Sequence, residues 1–238
     1  MAYTYQECEV TGILNETDVV RRYTFHVPDS KPFKFKAGQF VMLDLPIKSK
    51  YTNRSYSIAS APKGDNSFEL VIVLKPQGLG TTFLWENVTV GMKMKVSKAL
   101  GKFHLRTPVD TDICFICTGT GIAPLRSMLI DIYQQNIPHK NIYMVFGNRW
   151  EKDILYREEM EGLEKIHPEL KFIPVLSREN PGWNGKQGYV HPVYEELFAD
   201  HRPAYFYICG WRDMLHEART RLSAMGYRSE QIRFESFD

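Results

Sequence analysis

The chain has 238 residues, which is enough for one large domain or two of ordinary size. Hydrophobic residues make up 43% of the chain and charged residues 24%, a composition typical of a globular protein. Thirty Lys and Arg residues against 28 Asp and Glu residues leave a formal net charge of +2, which argues against nucleic acid as the main partner.

The amino terminus and the hydropathy pattern indicate a location for the protein. Residues 1–10 contain neither a basic stretch nor an apolar core, so we expect no signal peptide. The longest apolar runs are much shorter than the ~20 residues that a membrane-spanning helix needs. These features favour the cytoplasm, where thiols stay reduced. We therefore expect free cysteines at Cys8, Cys114, Cys117 and Cys209.

Residues 1–108 are predicted to form short strands separated by turns. The strands are expected at 7–11, 19–27, 35–45, 54–60, 68–74 and 92–96, with a helical segment at about 81–86. Clean alternation of apolar residues in 92–96 and a turn cluster at 61–66 support this pattern. Several strands at this spacing indicate an antiparallel barrel or sandwich.

Residues 109–238 show a different pattern, in which apolar strands alternate with helices. We predict strands at 113–117, 142–146, 172–176, 205–209 and 232–234, and helices at 125–135, 153–165, 193–198 and 211–225. This alternation is typical of a doubly wound parallel sheet, whose ligand crevice lies at the carboxyl ends of the strands. The predicted fold class is therefore α+β with two domains, 1–108 and 109–238, joined near the polar segment 106–110.

The segment Arg54-Ser55-Tyr56-Ser57 combines a cation, an aromatic ring and two hydroxyls within one predicted strand. Side chains alternate along a strand, so Arg54 and Tyr56 share one face and Ser55 and Ser57 the other. An arginine can hold a phosphate with two hydrogen bonds, and a tyrosine ring can lie flat on a planar heterocycle. Ser57 can offer its hydroxyl to the edge of that heterocycle. The segment therefore indicates a flavin nucleotide, with an ordinary surface strand as the alternative.

A glycine-containing loop follows the predicted strand 68–74. Gly78 and Gly80 free its backbone, and the hydroxyls of Thr81 and Thr82 stand at the start of the predicted helix. Backbone amides at a helix start favour anions, so this loop, which begins at Lys75, is a candidate second phosphate site. The alternative is a hairpin turn followed by a threonine that caps the helix.

The strongest local signal is segment 117–124, which follows a buried strand and opens a helix. Gly119 and Gly121 allow backbone amides to approach a ligand closely, and Pro124 suits a first helical turn. A helix amino terminus favours anions, so this segment, which includes Thr118 and Thr120, predicts a pyrophosphate site. A tight turn that binds nothing is the alternative.

Two further strand ends line the predicted crevice. Cys209 and Gly210 end one strand, where Cys209 either touches a ligand or packs as a small apolar residue. Ser177 and Arg178 end another strand. With Arg149 they can clamp an extra phosphate on a cofactor, and solvated surface arginines are the alternative.

The cysteine and histidine spacings indicate neither a redox pair nor a metal site. Cys114 and Cys117 lie roughly 10 Å apart on a strand, which is beyond disulfide reach, so we expect core thiols. The seven histidines and four cysteines show no metal-ligand spacing and no iron–sulfur pattern. We therefore predict no metal.

Taken in order, these stretches resemble the ferredoxin–NADP reductase superfamily over essentially the whole chain. The matching segments are 54–57, 78–81, 119–124, 209–210 and the tail 235–237. The family fold is an antiparallel β-barrel flavin domain followed by an α/β nicotinamide-nucleotide domain, which we assign to 1–108 and 109–238. The resemblance implies an FAD-dependent enzyme that uses NADPH or NADH.

The resemblance also implies roles for individual residues in the first domain and at the first nucleotide turn. Arg54 would hold the FAD pyrophosphate, Tyr56 would stack on the isoalloxazine ring, and Ser57 would lie near flavin N5. Thr81 would assist the phosphates. Segment 119–124 would take the NAD(P) pyrophosphate.

The other implied roles lie near the carboxyl terminus. Cys209 would sit beside the nicotinamide ring, and Glu235 matches the acidic residue of the family tail. Phe237, which on local evidence is either idle or packed over something, matches the aromatic residue that covers the flavin until nicotinamide displaces it. The predicted catalytic residues are Ser57, Cys209, Glu235 and Phe237. The predicted cofactor-binding residues are Arg54, Ser55, Tyr56, Ser57, Lys75, Gly80, Thr81, Thr82, Thr118, Gly119, Thr120, Gly121, Pro124, Arg149, Ser177, Arg178, Cys209, Gly210 and Phe237.

The sequence departs from the family pattern at two positions. Thr118 stands where many members have glycine. The aromatic residue of the tail is Phe237 rather than tyrosine, and Asp238 follows it.

The implied function is hydride transfer from NAD(P)H to FAD, followed by electron transfer to a separate acceptor such as ferredoxin, flavodoxin or an oxygenase component. Ser177, Arg178 and Arg149 resemble residues of members that read the 2′-phosphate, which favours NADPH over NADH. One alternative is a flavin reductase that uses free flavin as a substrate. Another is a non-catalytic redox-sensing or electron-relay subunit. The loop 78–81 and the tail favour the first reading, because both serve to retain bound FAD.

Overall fold

A computed structural model describes residues 3–28, 32–47, 53–178 and 181–237 of the chain. These residues form two compact units. The first unit ends at Leu105 and also includes Arg126–Tyr133, and the second comprises Arg106–Leu125 and the chain from Gln134 onward. The predicted domain boundary at residue 108 stays a prediction.

The first unit contains an antiparallel sheet of six described strands, one complete helix and the helical residues Arg126–Tyr133. The strands follow one another in the sheet in the order β4-β3-β6-β1-β2-β5. Their bounds, with the helix between β5 and β6, are β1 (Tyr5–Thr17), β2 (Val20–His26), β3 (Phe40–Asp44), β4 (Asn53–Ser57), β5 (Ser67–Val73), α1 (Leu79–Asn87) and β6 (Lys93–Ser97).

The two edges of this sheet meet and close it into a barrel. Ile58, directly after β4, forms an antiparallel bridge with Leu70 of β5. Alternate residues of the strands point inward, so Tyr23 and Phe25 of β2 are fully buried, and the Phe25 ring stacks on Phe68 with centroids 5.2 Å apart. The predicted antiparallel β-barrel is therefore confirmed.

The second unit contains a parallel sheet of six described strands, in the order β10-β9-β8-β7-β11-β12, that alternate with helices. Residues 112–117 of β7, the strand between β8 and β11, are all buried, as expected for a strand covered on both faces. This arrangement confirms the predicted doubly wound α/β fold. The elements from residue 106 onward, of which α2 is divided between the two units, are β7 (Asp112–Thr118), α2 (Ile122–Gln134), β8 (Ile142–Asn148), α3 (Arg157–Ile166), β9 (Leu170–Leu176), β10 (Lys186–Gln187), α4 (Val190–Leu197), β11 (Ala204–Gly210), α5 (Arg212–Ala224) and β12 (Ile232–Ser236).

The order of the strands reverses between β7 and β11. From β7 the chain proceeds to β8, β9 and β10 on one side, and it then returns to place β11 and β12 on the other side. In open α/β sheets the ligand crevice lies outside the carboxyl ends of the strands at such a reversal. The ends of β7 and β11 therefore define the candidate crevice of this unit.

Two of the predicted element boundaries differ from the structure for local reasons, and one short strand was missed. The strand predicted at 35–45 begins only at Phe40, because Gly38 adopts a φ of 94° and turns the chain. The helix predicted from 153 begins at Arg157, because the left-handed Tyr156, with φ of 55°, interrupts the chain just before it. The two-residue strand β10 was not predicted.

None of the helices in the described part of the chain combines the length and the apolar character needed to cross a membrane.

Candidate functional site

The Arg54–Ser57 segment forms most of β4 and lies against β3. In the register Arg54 faces Leu43, and Tyr56 faces Val41, both of which are buried in the barrel core. Arg54 and Tyr56 are half-buried, Ser55 is exposed, and Ser57 is 5% exposed. The predicted alternation of faces therefore holds for Arg54 and Tyr56. Their accessible sides are what a flavin nucleotide would contact.

Tyr56 is anchored by the barrel. Its ring packs against the core cluster, and burial is the main reason that the pKa of its phenol is raised above the ordinary value, with the Arg54 charge acting in the opposite direction. The phenol is therefore neutral at physiological pH. A ring held in this way has little freedom, which suits a stacking surface.

Arg54 lies against the first turn of α1. A Cβ built on Gly80 would come within 3.1 Å of both Cγ and Nε of Arg54, so the absence of a side chain at residue 80 allows the guanidinium to cross the helix backbone. Arg54 Nη1 donates a hydrogen bond of 2.8 Å to the carbonyl of Asn53. The positive guanidinium and the positive end of the α1 dipole therefore converge, which is favourable for a phosphate.

The loop before α1 is organised by the Thr81 hydroxyl. The amide of Lys75 donates to Thr81 Oγ1 at 3.1 Å, and the Thr81 hydroxyl donates to the Gly78 carbonyl at 3.1 Å. The helix cap is Gly78, which excludes the alternative of a capping threonine. Thr81 thus holds the loop in shape, and the predicted phosphate contacts of Lys75, Thr81 and Thr82 stay predictions.

In the second unit, the turn between β7 and α2 is built on two glycines with different constraints. Gly119 has a φ of 52°, and a Cβ there would meet nothing within 4 Å, so the outer side of the turn is open. A Cβ on Gly121 would lie 2.6 Å from the carbonyl carbon of Cys209 and 2.7 Å from the Cα of Gly210. The turn is therefore packed directly on the end of β11, and Pro124 follows in the first turn of α2. An open turn at the amino terminus of a 13-residue helix fits a pyrophosphate.

Thr118, the last residue of β7, bonds to the chain after β11. Its Oγ1 accepts a hydrogen bond of 3.1 Å from the amide of Trp211. Its methyl group faces Gly147, where a Cβ would come within 3.0 Å of Thr118 Cγ2. Thr118 therefore contacts β8 through its methyl group and the residue after β11 through its hydroxyl. Thr120, in the turn beyond it, is half-buried.

Cys209 is fully buried at the end of β11. Burial raises the pKa of its thiol well above the ordinary value, and the neighbouring Glu235 carboxylate adds to this effect. In the register Cys209 lies opposite Cys117 on one side and Glu235 on the other. The thiol is therefore neutral and has no exposed surface in this structure, which agrees with the packing alternative. The predicted contact with nicotinamide stays a prediction.

The tail runs alongside the crevice as β12. Ser236 lies opposite Gly210 in the register, and the amide of Phe237 donates a hydrogen bond of 3.3 Å to the Gly210 carbonyl. The Phe237 side chain is half-buried. The tail aromatic is therefore tied by its backbone to the end of β11, next to the turn that follows β7.

The two candidate phosphate-clamping arginines follow adjacent strands and are brought together. The amide of Arg178 donates to the carbonyl of Arg149 at 3.2 Å, and the amide of Ser177 donates to the carbonyl of Asn148 at 2.9 Å. Both arginine side chains are exposed. Their juxtaposition at the strand ends is what a clamp for an extra phosphate needs.

Sequence reasoning did not single out Tyr189. This residue is 74% exposed and stands at the start of α4. The amide of the preceding Gly188 donates to the carbonyl of Leu176, which places Tyr189 near the Ser177–Arg178 strand end. An aromatic residue directly after a glycine and before a helix was the available signal. An exposed ring there is suited to stack on a nucleotide base.

Comparison with known proteins assigns both halves of the chain. Residues 7–105 match the model of the oxidoreductase FAD-binding domain, and residues 115–220 match the model of the oxidoreductase NAD-binding domain. The ferredoxin–NADP reductase B of Sorangium cellulosum is 32% identical over 98% of this chain and 97% of its own length. The chain belongs to the ferredoxin–NADP reductase superfamily. The resemblance inferred from the sequence is thereby confirmed, as are FAD and a nicotinamide nucleotide as cofactors and the assignment as an oxidoreductase.

Other members of the ferredoxin–NADP reductase superfamily are similar over most of this chain. The anthranilate 1,2-dioxygenase electron transfer component of Acinetobacter baylyi is 28% identical over 96% of this chain, which spans 66% of that protein. The crystal structure of a ferredoxin NADP+ reductase from Neisseria gonorrhoeae with bound FAD and NADP aligns with a TM-score of 0.83 at 24% identity, and covers 99% of each chain. The structural comparison supports the shared fold.

Proposed function

We propose that this protein is an FAD-dependent reductase that takes a hydride from NAD(P)H and passes electrons to a separate acceptor. The proposal rests on two helix amino termini in one chain, each of which has the features of an anion site. Arg54 and the α1 amino terminus form one site in the first unit, and the open turn at Gly119 and the α2 amino terminus form the other in the second unit. Each suits the pyrophosphate of one dinucleotide.

In the first unit we assign FAD to β4 and α1. Arg54 holds the pyrophosphate with its guanidinium, supported by the amides at the start of α1. Tyr56 offers a restrained ring to the isoalloxazine, and Ser57 offers a hydroxyl to its edge. Bound FAD supplies the chemistry, because its isoalloxazine accepts a hydride and returns the electrons singly or as a pair.

In the second unit we assign the nicotinamide nucleotide to the crevice between the ends of β7 and β11. Gly119 leaves room for the pyrophosphate, and Gly121 lets the turn approach β11 closely. Cys209 adds no negative charge beside the crevice, because its buried thiol is neutral. Phe237 is placed by its backbone bond to Gly210 at the edge of the crevice, where its ring can compete with nicotinamide.

We further propose NADPH rather than NADH as the preferred nucleotide, and cytoplasm as the location. The support for NADPH is the pairing of Arg149 with Arg178, two exposed arginines that a backbone hydrogen bond holds side by side at adjacent strand ends. Such a pair favours a 2′-phosphate over a free ribose hydroxyl. Tyr189 would cover the adenine base beside them.

The acceptor is proposed by analogy with relatives. One relative is named as a ferredoxin–NADP reductase, and others are named as electron transfer or reductase components of oxygenases such as anthranilate 1,2-dioxygenase and glycine betaine monooxygenase. A ferredoxin, a flavodoxin or an oxygenase component is therefore the class of acceptor that we assign.

The test is a visible absorption spectrum of the purified protein, recorded without oxygen before and after addition of NADPH or NADH. We expect a yellow protein whose flavin bands bleach faster with NADPH than with NADH. A colourless protein that reduces added flavin would favour a flavin reductase with diffusible flavin. A yellow protein that neither nucleotide bleaches would support a non-catalytic relay subunit, and faster bleaching with NADH would overturn the assignment of the two arginines.

A further inference from the structure

The peptide group that joins Gly210 to Trp211 is held on both of its polar sides. Its N–H, which belongs to Trp211, donates to Thr118 Oγ1 at 3.1 Å. Its carbonyl, which belongs to Gly210, accepts the amide hydrogen of Phe237 at 3.3 Å. A trans peptide group is planar, and its N–H and C=O point in opposite directions. The orientation that lets the Trp211 N–H donate to Thr118 Oγ1 therefore also directs the Gly210 carbonyl toward the Phe237 amide.

This peptide group depends on its two partners for its orientation. Gly210 has a φ of 137°, a region open to glycine and costly for other residues, so the local backbone sequence does little to hold the plane. A side chain at residue 210 would also collide with Thr118, because a Cβ there would lie 3.0 Å from both the N and the O of Thr118. The orientation of the Gly210–Trp211 peptide plane is therefore set by its two hydrogen bonds and not by the conformational preference of Gly210.

We propose that Thr118 is a positioning residue for the tail aromatic: through the Gly210–Trp211 peptide group, its hydroxyl holds Phe237 where the ring competes with nicotinamide. This inference rests on the proposed function, since it concerns the affinity for the nicotinamide nucleotide. A glycine at residue 118, as in many members of the superfamily, has no hydroxyl to offer to Trp211. The tail of this protein is accordingly held by a bond that such members lack.

The two hydrogen bonds reinforce each other. An amide that donates to Thr118 has a more polarised carbonyl, so the acceptor that Phe237 uses is strengthened. Phe237 follows the last residue of β12, and its bond to Gly210 extends the ladder between β11 and β12 beyond the strand. Loss of the Thr118 hydroxyl would therefore release the end of the ladder first, while the pairing from Phe206 with Ile232 onward is retained.

Thr118→Val tests the inference because it removes the hydroxyl and keeps the branched shape that packs on Gly147. We expect the FAD-loaded variant to bind NADP+ about fivefold more tightly in isothermal titration calorimetry, which is the factor that corresponds to a hydrogen bond of about 1 kcal/mol. Thr118→Ser keeps the hydroxyl and should bind as the wild type does. Thr220→Val is the matched control, since the Thr220 hydroxyl bonds to the His216 carbonyl on an exposed face of α5.

The tail provides the second half of a double-mutant cycle. A chain that ends at Ser236 should bind NADP+ more tightly than the full chain, and Thr118→Val in that shortened chain should add no further gain. An unchanged or weaker affinity in Thr118→Val would overturn the inference. So would a fivefold gain that persists without Phe237, because Thr118 would then act on the nucleotide and not through the tail.

Hydrogen exchange of the carboxyl-terminal peptide tests the same contact without any nucleotide. We expect faster exchange at the Phe237 amide in Thr118→Val than in the wild type or Thr118→Ser, with equal thermal midpoints. Equal exchange rates would overturn the inference. If the wild type binds no nicotinamide nucleotide, the proposed function fails, and exchange still decides whether Thr118 holds the tail.

Discussion

Gly121 has no room for a side chain, whereas Gly119 in the same turn has ample room. A Cβ at residue 121 would press on the backbone of Cys209 and Gly210, and a backbone cannot rotate away as a flexible side chain can. A Cβ at residue 119 would meet nothing within 4 Å, although the φ of 52° is unfavourable for alanine. The two glycines are therefore required for different reasons.

The pair predicts a graded loss of stability. Gly121→Ala should lower the free energy of unfolding by about 3 kcal/mol because the end of β11 must move, and Gly119→Ala by about 1 kcal/mol because it adds backbone strain alone. Urea unfolding followed by circular dichroism measures both. An equal decrease in the free energy of unfolding of the two variants would show that β11 can move away from a Cβ at residue 121 at little energetic cost.

At the scale of residues, the sequence identified candidate site residues more readily than the hydrogen bonds and packing that position them. Gly119, Gly121 and Arg54 were singled out from residue type and local spacing, and their contacts with phosphate stay predictions. The bond between Thr118 and Trp211 could not, since it joins residues 93 positions apart. Burial of Cys209 likewise depends on neighbouring strands that the local pattern does not specify.

At the scale of elements, helix α1 and strand β4 meet at Gly80 and Arg54. Because the Arg54 side chain crosses the first turn of α1, residue 80 determines how much room Arg54 has at the proposed flavin site. An alanine at residue 80 would crowd Arg54 but would also favour the helix, since alanine is preferred over glycine within a helix by up to about 1 kcal/mol. The same substitution can therefore favour the helix and weaken cofactor binding.

Gly80→Ala should lower FAD affinity about tenfold, because the new Cβ lies 3.1 Å from Arg54 Cγ and Nε and displaces the guanidinium. The thermal midpoint of the flavin-free protein should change little, because the gain in helix propensity offsets the close approach of the new Cβ to the buried Leu45, whose Cδ1 lies 3.2 Å away. Gly162→Ala is the matched control: this residue lies within α3, and a Cβ there would meet nothing within 4 Å, so only the propensity gain is expected. Fluorescence titration of flavin-free protein with FAD measures the affinity, and a Gly80→Ala variant that binds FAD as tightly as Gly162→Ala would contradict the assigned role of Arg54.

Regular apolar patterns in the sequence identified the long helices and strands. They did not identify the short strand or the irregular start of a helix. Strand β7 was evident from the sequence because residues 113–117 form a continuous apolar run, and the structure buries all of residues 112–117. Strand β10 has two exposed residues, Lys186 and Gln187, and carries no hydrophobic pattern at all. The start of α3 was misplaced because a left-handed Tyr156 is not visible in hydrophobic periodicity.

At the scale of the whole molecule, the succession of a β-rich part and an alternating part was sufficient to predict both fold classes. The choice between a barrel and a sandwich was not available from the pattern, because closure depends on the bridge from Ile58 to Leu70, which tertiary packing decides. The strand order around β7 also follows from the general handedness and packing of α/β units rather than from local sequence. Family membership supplied what the pattern alone did not.

The four cysteines of the chain are free and buried, with Cys8 in the first unit and Cys114, Cys117 and Cys209 in the second. Burial raises the pKa of the Cys8 thiol to about 12 and raises the pKa values of the other three as well. These thiols stay protonated up to alkaline pH, and the thiolate is the reactive form.

We therefore expect no reaction with a thiol reagent in native protein at pH 8, and reaction of all four thiols in denaturant. Mass spectrometry at intermediate urea concentrations would show which unit opens first, since labelling of Cys8 reports on one unit and labelling of the others on its neighbour. Rapid labelling of any cysteine in the native state would contradict the burial described.

The same burial makes the wild-type chain a convenient background for spectroscopy. A single cysteine introduced at an exposed position would be the one site to take up a dye or a spin label, without prior removal of native thiols. Distances between such probes, one in each unit, would then report whether the two units move relative to each other during turnover.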